Sequence, residues 1–284
     1  MNAVTDGGPS ATFRSPDDWR PRLVALDVDG TLVAEGDSVS APVVEAVRAT
    51  IAAGAIVVLA TGRGVIATRR VAEMLDLPEG YLVCSNGAVL IRFHPVNGER
   101  PAEMELLDVV RFDPAPVRPL LDRLPNALVA VEEVGVGYRV NAPFPEGEIS
   151  GRIRVVPYDE LFTEPVSRVI VREPGKAPED LLDVVDRVGV HEMSYFIGTT
   201  AWLDLAPIGV SKASALAEVA RRSGLERTEV LAIGDGVNDV EMLSWAGRGV
   251  AMANAREEVR EVADAVTKSC IEDGVAVELR RWFG

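Results

Sequence analysis

The chain has 284 residues, more than one minimal core needs, so one large or two moderate domains are possible and two lobes are expected. Against 44 Asp and Glu stand only 29 Lys and Arg, and the net charge of −15 repels nucleic acid and anionic membranes at long range. The composition, 48% hydrophobic and 26% charged, is that of a folded globular chain; its two cysteines, Cys84 and Cys270, form no CxxC pair, which argues against a zinc ribbon or disulfide scaffold and for a reducing cytoplasm.

Residues 1–20 are polar, broken by Gly7, Gly8 and Pro16, and are expected to form a flexible extension without the apolar segment of a signal peptide. No run approaches the ~18 consecutive apolar residues of a membrane helix, so a soluble protein is expected. From Arg22 onward, short β-rich runs alternate with helical stretches, the texture of βαβ units around a mainly parallel sheet.

The first strand is predicted over 22–27 and a helix over 40–53, with Ser40 as its N-cap and Gly54 as its stop. A second strand leads to Thr61-Gly62-Arg63, a helix covers 65–75, and a third strand over 81–84 ends at Ser85-Asn86-Gly87. The texture then changes to a hairpin near Pro95-Val96-Asn97-Gly98, strands over 128–131 and 168–171, and Pro-led helices over 114–124 and 178–188. The βα texture returns with a strand over 202–205, a helix over 211–222 and a strand over 229–233. The expected fold is therefore α/β, a Rossmann-like mainly parallel sheet core with an inserted α+β cap domain. Its core would take residues 21–90 and 198–284, and the cap 91–197.

Three polar patches stand directly after apolar runs: Asp27-Val28-Asp29-Gly30-Thr31, Thr61-Gly62-Arg63 and Gly234-Asp235-Gly236-Val237-Asn238-Asp239. In an open parallel sheet, ligands bind beyond the carboxyl ends of the strands, so the three patches are expected to share one crevice. The strand period of two puts Asp27 and Asp29 on the same side of the local chain. Gly30 and Thr31 allow a sharp turn and offer N–H and hydroxyl donors to an anion, although Asp-Gly is also an ordinary loop pair. The third patch adds two carboxylates and an amide, an all-oxygen set that suits a hard cation and favours Mg²⁺ over a calcium cage. Lys212 falls at the start of a helix, where ammonium and helix terminus together favour an anion, or where it is simply a surface lysine. Thr61 is open to reading as a helix cap.

Other chemistries fit poorly. The only histidines are His94, beside Pro95, and His191, and neither borders a patch. The GxxxxGK[ST] and GxGxxG spacings are missing where a P-loop or dinucleotide fold needs them.

Taken together, Asp27-Val28-Asp29-Gly30-Thr31, Thr61-Gly62-Arg63, Lys212 and Gly234-Asp235-Gly236-Val237-Asn238-Asp239 resemble, in order and spacing, the four motifs of the haloacid dehalogenase superfamily. The insertion between the second and third motifs, Ser85-Asn86-Gly87-Ala88 and Glu272-Asp273-Gly274-Val275-Ala276 make the chain look most like Cof-type phosphatases with a type IIB cap. That resemblance, spanning about residues 22–281, implies that Asp27 attacks phosphorus to form an aspartyl-phosphate and that Asp29 serves as acid and then base. It implies that Asp27, the Asp29 carbonyl and Asp235 hold Mg²⁺, with Asp239 supporting the metal directly or through water. Thr61, Gly62 and Lys212 would bind phosphate, with Asn238 helping to fix phosphate or Lys212. Arg63 is either a salt-bridging structural residue or a substrate contact, and Asn86 either a turn former or a ligand. Ala213, Ala253 and Cys270 depart from the family pattern in the loops around the site.

The resemblance thus implies a Mg²⁺-dependent phosphatase of small phosphorylated metabolites such as sugar phosphates, with specificity in the cap around residues 132–141. A sugar phosphomutase of the same chemistry and a non-catalytic ligand-binding protein of the same fold are the alternatives.

Overall fold

A computed structural model describes residues 19–34, 38–98, 101–177, 180–181, 183–185, 193–197 and 202–284. Eight strands form one sheet. They are β1 (Leu23–Leu26), β2 (Ile56–Ala60), β3 (Gly80–Cys84), β4 (Val89–His94) and β5 (Glu103–Val109) from the first part of the chain. A second sheet follows with β6 (Leu128–Glu133), β7 (Gly137–Val140), β8 (Arg152–Val155), β9 (Val169–Arg172), β10 (Met193–Ile197) and β11 (Trp202–Pro207). The chain then returns to the first sheet with β12 (Val230–Gly234), β13 (Arg248–Ala251) and β14 (Ala265–Val266).

The order of the first sheet is β14-β13-β12-β1-β2-β3-β4-β5. Its strands are parallel from β14 to β3 and antiparallel at β4 and β5. Alternation along β1 explains the layering: Val24 and Leu26 enter one core and Leu23 and Ala25 the other, on the opposite face of the sheet. The first core is closed by helices α1 (Ala41–Ala52), α2 (Val65–Met74) and, from the far end of the chain, Gly274–Phe283. The second is closed by Lys212–Arg222, Val240–Trp245 and Glu257–Glu261. In chain order, with Arg118–Leu121 of the second lobe as α3, these last four helices are α4 (Lys212–Arg222), α5 (Val240–Trp245), α6 (Glu257–Glu261) and α7 (Gly274–Phe283).

Local signals set the helix ends as the sequence leads one to expect. Ser40 Oγ accepts the Val43 N–H at the start of α1, and Gly54, at φ +88°, follows its end. Val43 and Val47 on the buried face of α1 each contribute about 1.5–3 kcal/mol by leaving water. Ser211 and Ser214 cap α4 reciprocally: Ser211 Oγ accepts the Ser214 N–H and Ser214 Oγ accepts the Ser211 N–H. No helix among the described residues is long and apolar enough to cross a membrane.

The lobe boundaries differ from those expected. The hairpin around Pro95-Val96-Asn97-Gly98 forms, but its strands β4 and β5 extend the core sheet instead of opening the cap at residue 91. Strand β11, expected to be the first strand of the returning core, pairs with β9 and β10 in the cap sheet, whose order is β10-β11-β9-β6-β7-β8. Runs of four to seven residues carry no mark of the sheet they join, and cross-strand neighbours decide it. The helix expected over 114–124 shrinks to a 3₁₀ turn, Ala115–Val117, running into the single turn of α3. Much of the helix expected over 178–188, His191, and the extension up to residue 18 lie outside the described residues. Trp19 and Arg20, assigned to that extension, pack on Trp282 and Phe283 of α7.

One face of the cap sheet buries an apolar core against α3 and neighbouring segments, including Leu120, Val129, Val131, Val169, Val171, Leu203 and Leu205. The residues between them in sequence face the opposite way, over the carboxyl ends of the core strands.

Candidate active site

Strands β1, β2 and β12 run parallel and in register, so Asp27, Thr61 and Asp235 emerge from them side by side. Asp27 continues the ladder by donating its N–H to Ile233 O at 3.0 Å, and its side chain is buried. Lys212, at the first turn of α4 and 0% exposed, reaches Asp27 Oδ1 at 2.5 Å and Asp239 Oδ1 at 2.6 Å. The surface-lysine reading of Lys212 is therefore excluded. Asp239 Oδ2 accepts the N–H groups of Asp235 and Gly236 at 3.0 and 2.8 Å, which folds the third patch into a tight turn. Asp235 Oδ1 accepts from Thr31 Oγ1 at 2.8 Å.

The charge in this floor is unbalanced, with three carboxylates of Asp27, Asp235 and Asp239 within 4.8 Å of one another and one ammonium among them. Burial and the neighbouring Asp239 push the Asp27 carboxyl well above its usual range, against the pull of Lys212. Burial, with Asp239 adding to it, pushes Asp235 up to about 6. Burial works against the Lys212 ammonium, but Asp239 and Asp27 more than reverse it and keep it charged.

Asp29 lies beyond the strand, because β1 ends at Leu26 and Asp29 is already in a turn bridging to Val33. Its side chain is 62% exposed and is held by Arg63, with Nε at 3.0–3.1 Å and Nη2 at 2.6 Å. Arg63 thus forms a salt bridge. Asp27 and Asp29 still line the same cavity, together with Gly62 and Asn238. Gly30 makes the sharp turn possible: at φ +81° a Cβ there would stand 2.3 Å from Asp235 Oδ2.

Thr61 is fully buried, and its Oγ1 accepts the Arg63 N–H at 3.1 Å, leaving the hydroxyl proton to donate elsewhere. It does not cap α2, whose N-cap is Gly64. Asn86 is buried with φ 55°, and its Oδ1 accepts from Asn238 Nδ2 at 2.9 Å while its N–H binds Thr61 O. It ties the second patch to the third. Neighbouring Ser85 also takes positive φ, at 51°, a strained pair of the kind that persists only where its surroundings over-determine it.

Asn254 is the residue that reading the patches missed. Its Nδ2 donates to Gly30 O at 2.9 Å and Asp235 Oδ2 at 3.1 Å, joining the loop after β13 to both acidic turns. The signal was available, since Asn254 follows a parallel strand just as the other site residues do.

These groups cluster at the carboxyl ends of parallel strands on both sides of β1, where the strand order reverses. A family model of haloacid dehalogenase-like hydrolases matches residues 24–107 and 154–279. The chain belongs to that family. Among relatives of this haloacid dehalogenase-like hydrolase is the 5-amino-6-(5-phospho-D-ribitylamino)uracil phosphatase of Bacillus subtilis, 30% identical over 263 residues, 92% of this chain and 95% of the relative. A phosphoglycolate phosphatase of Methanoculleus marisnigri is 28% identical over 262 residues, covering 92% and 97%. A solved haloacid dehalogenase-like hydrolase from B. subtilis superposes with a TM-score of 0.76 at 26% identity, over 91% of this chain and 99% of that one. The subclass IIB sugar phosphatase BT4131 shares the fold, with a TM-score of 0.74 at 22% identity over 92% and 98%. The hydrolase is thus a Cof-type phosphoric monoester hydrolase with a cap of subclass IIB architecture.

The haloacid dehalogenase-like core and its cap enclose a cavity of about 520 Å³ above Asp27 and Asp29. Ser85 of the core donates to Glu132 Oε2 of the cap at 2.7 Å, so core and cap meet at the strained turn. Cap strands also bring Tyr138, Arg168, Ile170, Trp202 and Asp204 to this cavity, a set whose common face could not be read from their scattered positions in the chain.

Proposed function

We propose that this hydrolase removes phosphate from small phosphate monoesters, sugar phosphates foremost, through an aspartyl-phosphate on Asp27. The observation that carries the reading is the buried Asp27 held 2.5 Å from a fully buried Lys212, on the floor of a cavity that also contains Asp29. Asp27 Oδ attacks phosphorus as the ester oxygen leaves, and Asp29 supplies the proton that oxygen takes. Asp29 then accepts a proton from the water that displaces Asp27, releasing inorganic phosphate and restoring both carboxyl groups. Lys212, the Thr61 hydroxyl and the Gly62 N–H hold the non-bridging oxygens of the phosphoryl group, and Asn238 orients them. The cap excludes bulk water from the phosphoryl group.

The floor fits a divalent cation, Mg²⁺ in this reading, by its all-oxygen donor set and by carboxylate charge that Lys212 alone does not balance. Asp27 and Asp235 would hold it, with the Asp29 carbonyl. Both Asp239 oxygens are engaged by Lys212 and backbone N–H groups, so Asp239 supports the cation through its charge and the turn it fixes. When bound, the cation supplies charge neutralisation and orientation at the phosphoryl oxygens.

The test is phosphate release by Asp27→Asn in Mg²⁺, together with mass analysis of acid-quenched wild-type protein. Loss of turnover by about 10³-fold or more and a phosphoryl adduct at Asp27 are expected. Unchanged phosphate release by the variant would overturn the reading.

A further inference from the structure

The cap face over the cavity carries both carboxylates and a guanidinium. Strand pairing sets Glu132 opposite Tyr138, and the Glu132 N–H binds Arg168 O, while Asp204 lies opposite Ile170, two residues on from Arg168. All four polar side chains are buried and line the cavity above Asp27 and Asp29. Glu132 and Tyr138 press against the core loop, where a Cβ on Gly64 would stand 2.8 Å from Glu132 Oε1 and 2.9 Å from the Tyr138 hydroxyl.

Among the described residues, Arg168 is the one cation that the cap contributes to the cavity lining, and it is already occupied. Its Nε and Nη2 each lie 2.6 Å from Asp204 Oδ1, and Nη1 donates to the Tyr138 hydroxyl at 3.2 Å. Arg63, from the core side, is engaged by Asp29. The cap's other lining carboxylates, Glu133 and Glu148, pair with Arg154 and Arg172. Glu132 differs from them, because its Oε2 is held by the hydroxyls of Ser85 and Ser167 at 2.7 and 3.0 Å and by no arginine.

We propose that Asp204 and Glu132 act together as a charge filter on the leaving group, an inference that rests on the phosphatase reading above. Asp204 keeps Arg168 from receiving a second anionic group, and Glu132, which feels the charge of Arg168 without a hydrogen bond to it, leaves the cluster with one more carboxylate than guanidinium. The accepted leaving group is a neutral or cationic alcohol whose hydroxyl or ammonium donates to Glu132. A carboxylate there meets like charge in a buried pocket and finds no free guanidinium, which disfavours it by about tenfold or more. The matched stretches of the family model skip residues 108–153, which carry Glu132 and Tyr138.

Glycerol 3-phosphate and 3-phosphoglycerate differ only in a hydroxymethyl against a carboxylate, which makes them the matched probe. The wild-type kcat/KM is expected to favour glycerol 3-phosphate by about tenfold or more. Asp204→Asn releases the guanidinium and Glu132→Gln removes the charge while keeping an acceptor. Each should narrow the ratio by about tenfold, mainly through a gain on 3-phosphoglycerate. Should Asp204→Asn fail to fold, Glu132→Gln decides alone. Equal handling of the two esters by wild type, or an unchanged ratio in the folded variants, overturns the filter. The phosphatase reading is followed separately with p-nitrophenyl phosphate. If hydrolysis fails there, the ratio of Kd values from calorimetry on Asp27→Asn protein still measures the charge selectivity.

Discussion

Lys212 lies 185 residues from Asp27 in the chain and 2.5 Å from it in space. Its ammonium is the one cation in hydrogen-bond contact with Asp27 and Asp239 among the described residues. Lys212→Met should abolish phosphate release and destabilise the metal-free protein by about 3–5 kcal/mol, the cost of leaving buried charge without its partner. Urea denaturation in chelator measures the second effect, and an unaltered midpoint would show that the carboxylates do not depend on Lys212.

Gly87 takes φ +98°, and a Cβ there would stand 2.1 Å from Ser211 O, the residue that caps α4. Gly87→Ala should therefore push the start of α4, and Lys212 with it, away from Asp27. A stability loss above about 1 kcal/mol with a drop in kcat is expected from paired denaturation and rate measurements. Full activity would mean that the turn does not position the lysine.

Asp29→Asn removes proton transfer and leaves the Asp27 floor in place. The kcat for alkyl phosphates should fall by about 10²–10⁴-fold. Hydrolysis of p-nitrophenyl phosphate should suffer much less in the first step, because its leaving group needs no proton. Pre-steady-state bursts of nitrophenol compare the two, and equal losses would remove Asp29 from the acid role.

Thr61→Val keeps the shape and deletes the hydroxyl, whereas Thr61→Ser keeps the donor. The Val variant should lose about 1.5–3 kcal/mol of transition-state binding, the range for hydrogen bonds to charged groups, and the Ser variant should recover most of it. Steady-state kcat/KM for both decides whether the hydroxyl matters.

Asp235 titrates near 6 in the folded, metal-free protein and near its ordinary 3.8 when unfolded. The folded state therefore binds more protons between these values. The stabilisation from a protonated Asp235 is complete below about pH 3.8 and is lost as pH rises through about 6. Without divalent cation, thermal stability should decline over this window. Mg²⁺ should raise Tm more at pH 7 than at pH 5, since the ligand must lose its proton. A Mg²⁺ effect independent of pH would remove Asp235 from the cation site.

Much of the floor was legible because parallel strands deliver their next residues to one edge. Asp27, Thr61 and Asp235 could be grouped from apolar runs alone, and Ser40 announced its helix. Asp29 was harder to place, because the period of two stops with the strand and turn geometry takes over. The cap was least legible. Strand β11 reads as well for one sheet as for the other, and the pairing of Arg168 with Asp204 arises between strands 36 residues apart, beyond any local pattern.

The place of β1 in the core sheet has a consequence for how the protein is made. One edge of β1 is covered early, by β2, but the other waits for β12, about two hundred residues later in synthesis, after the whole cap has been made. Until then the nascent chain presents an open, wholly apolar strand edge, the kind of surface on which chaperones act and aggregation begins. Lys212 and Asp239 also come from this late segment, so the ribosome releases chemical competence and a closed sheet in the same interval.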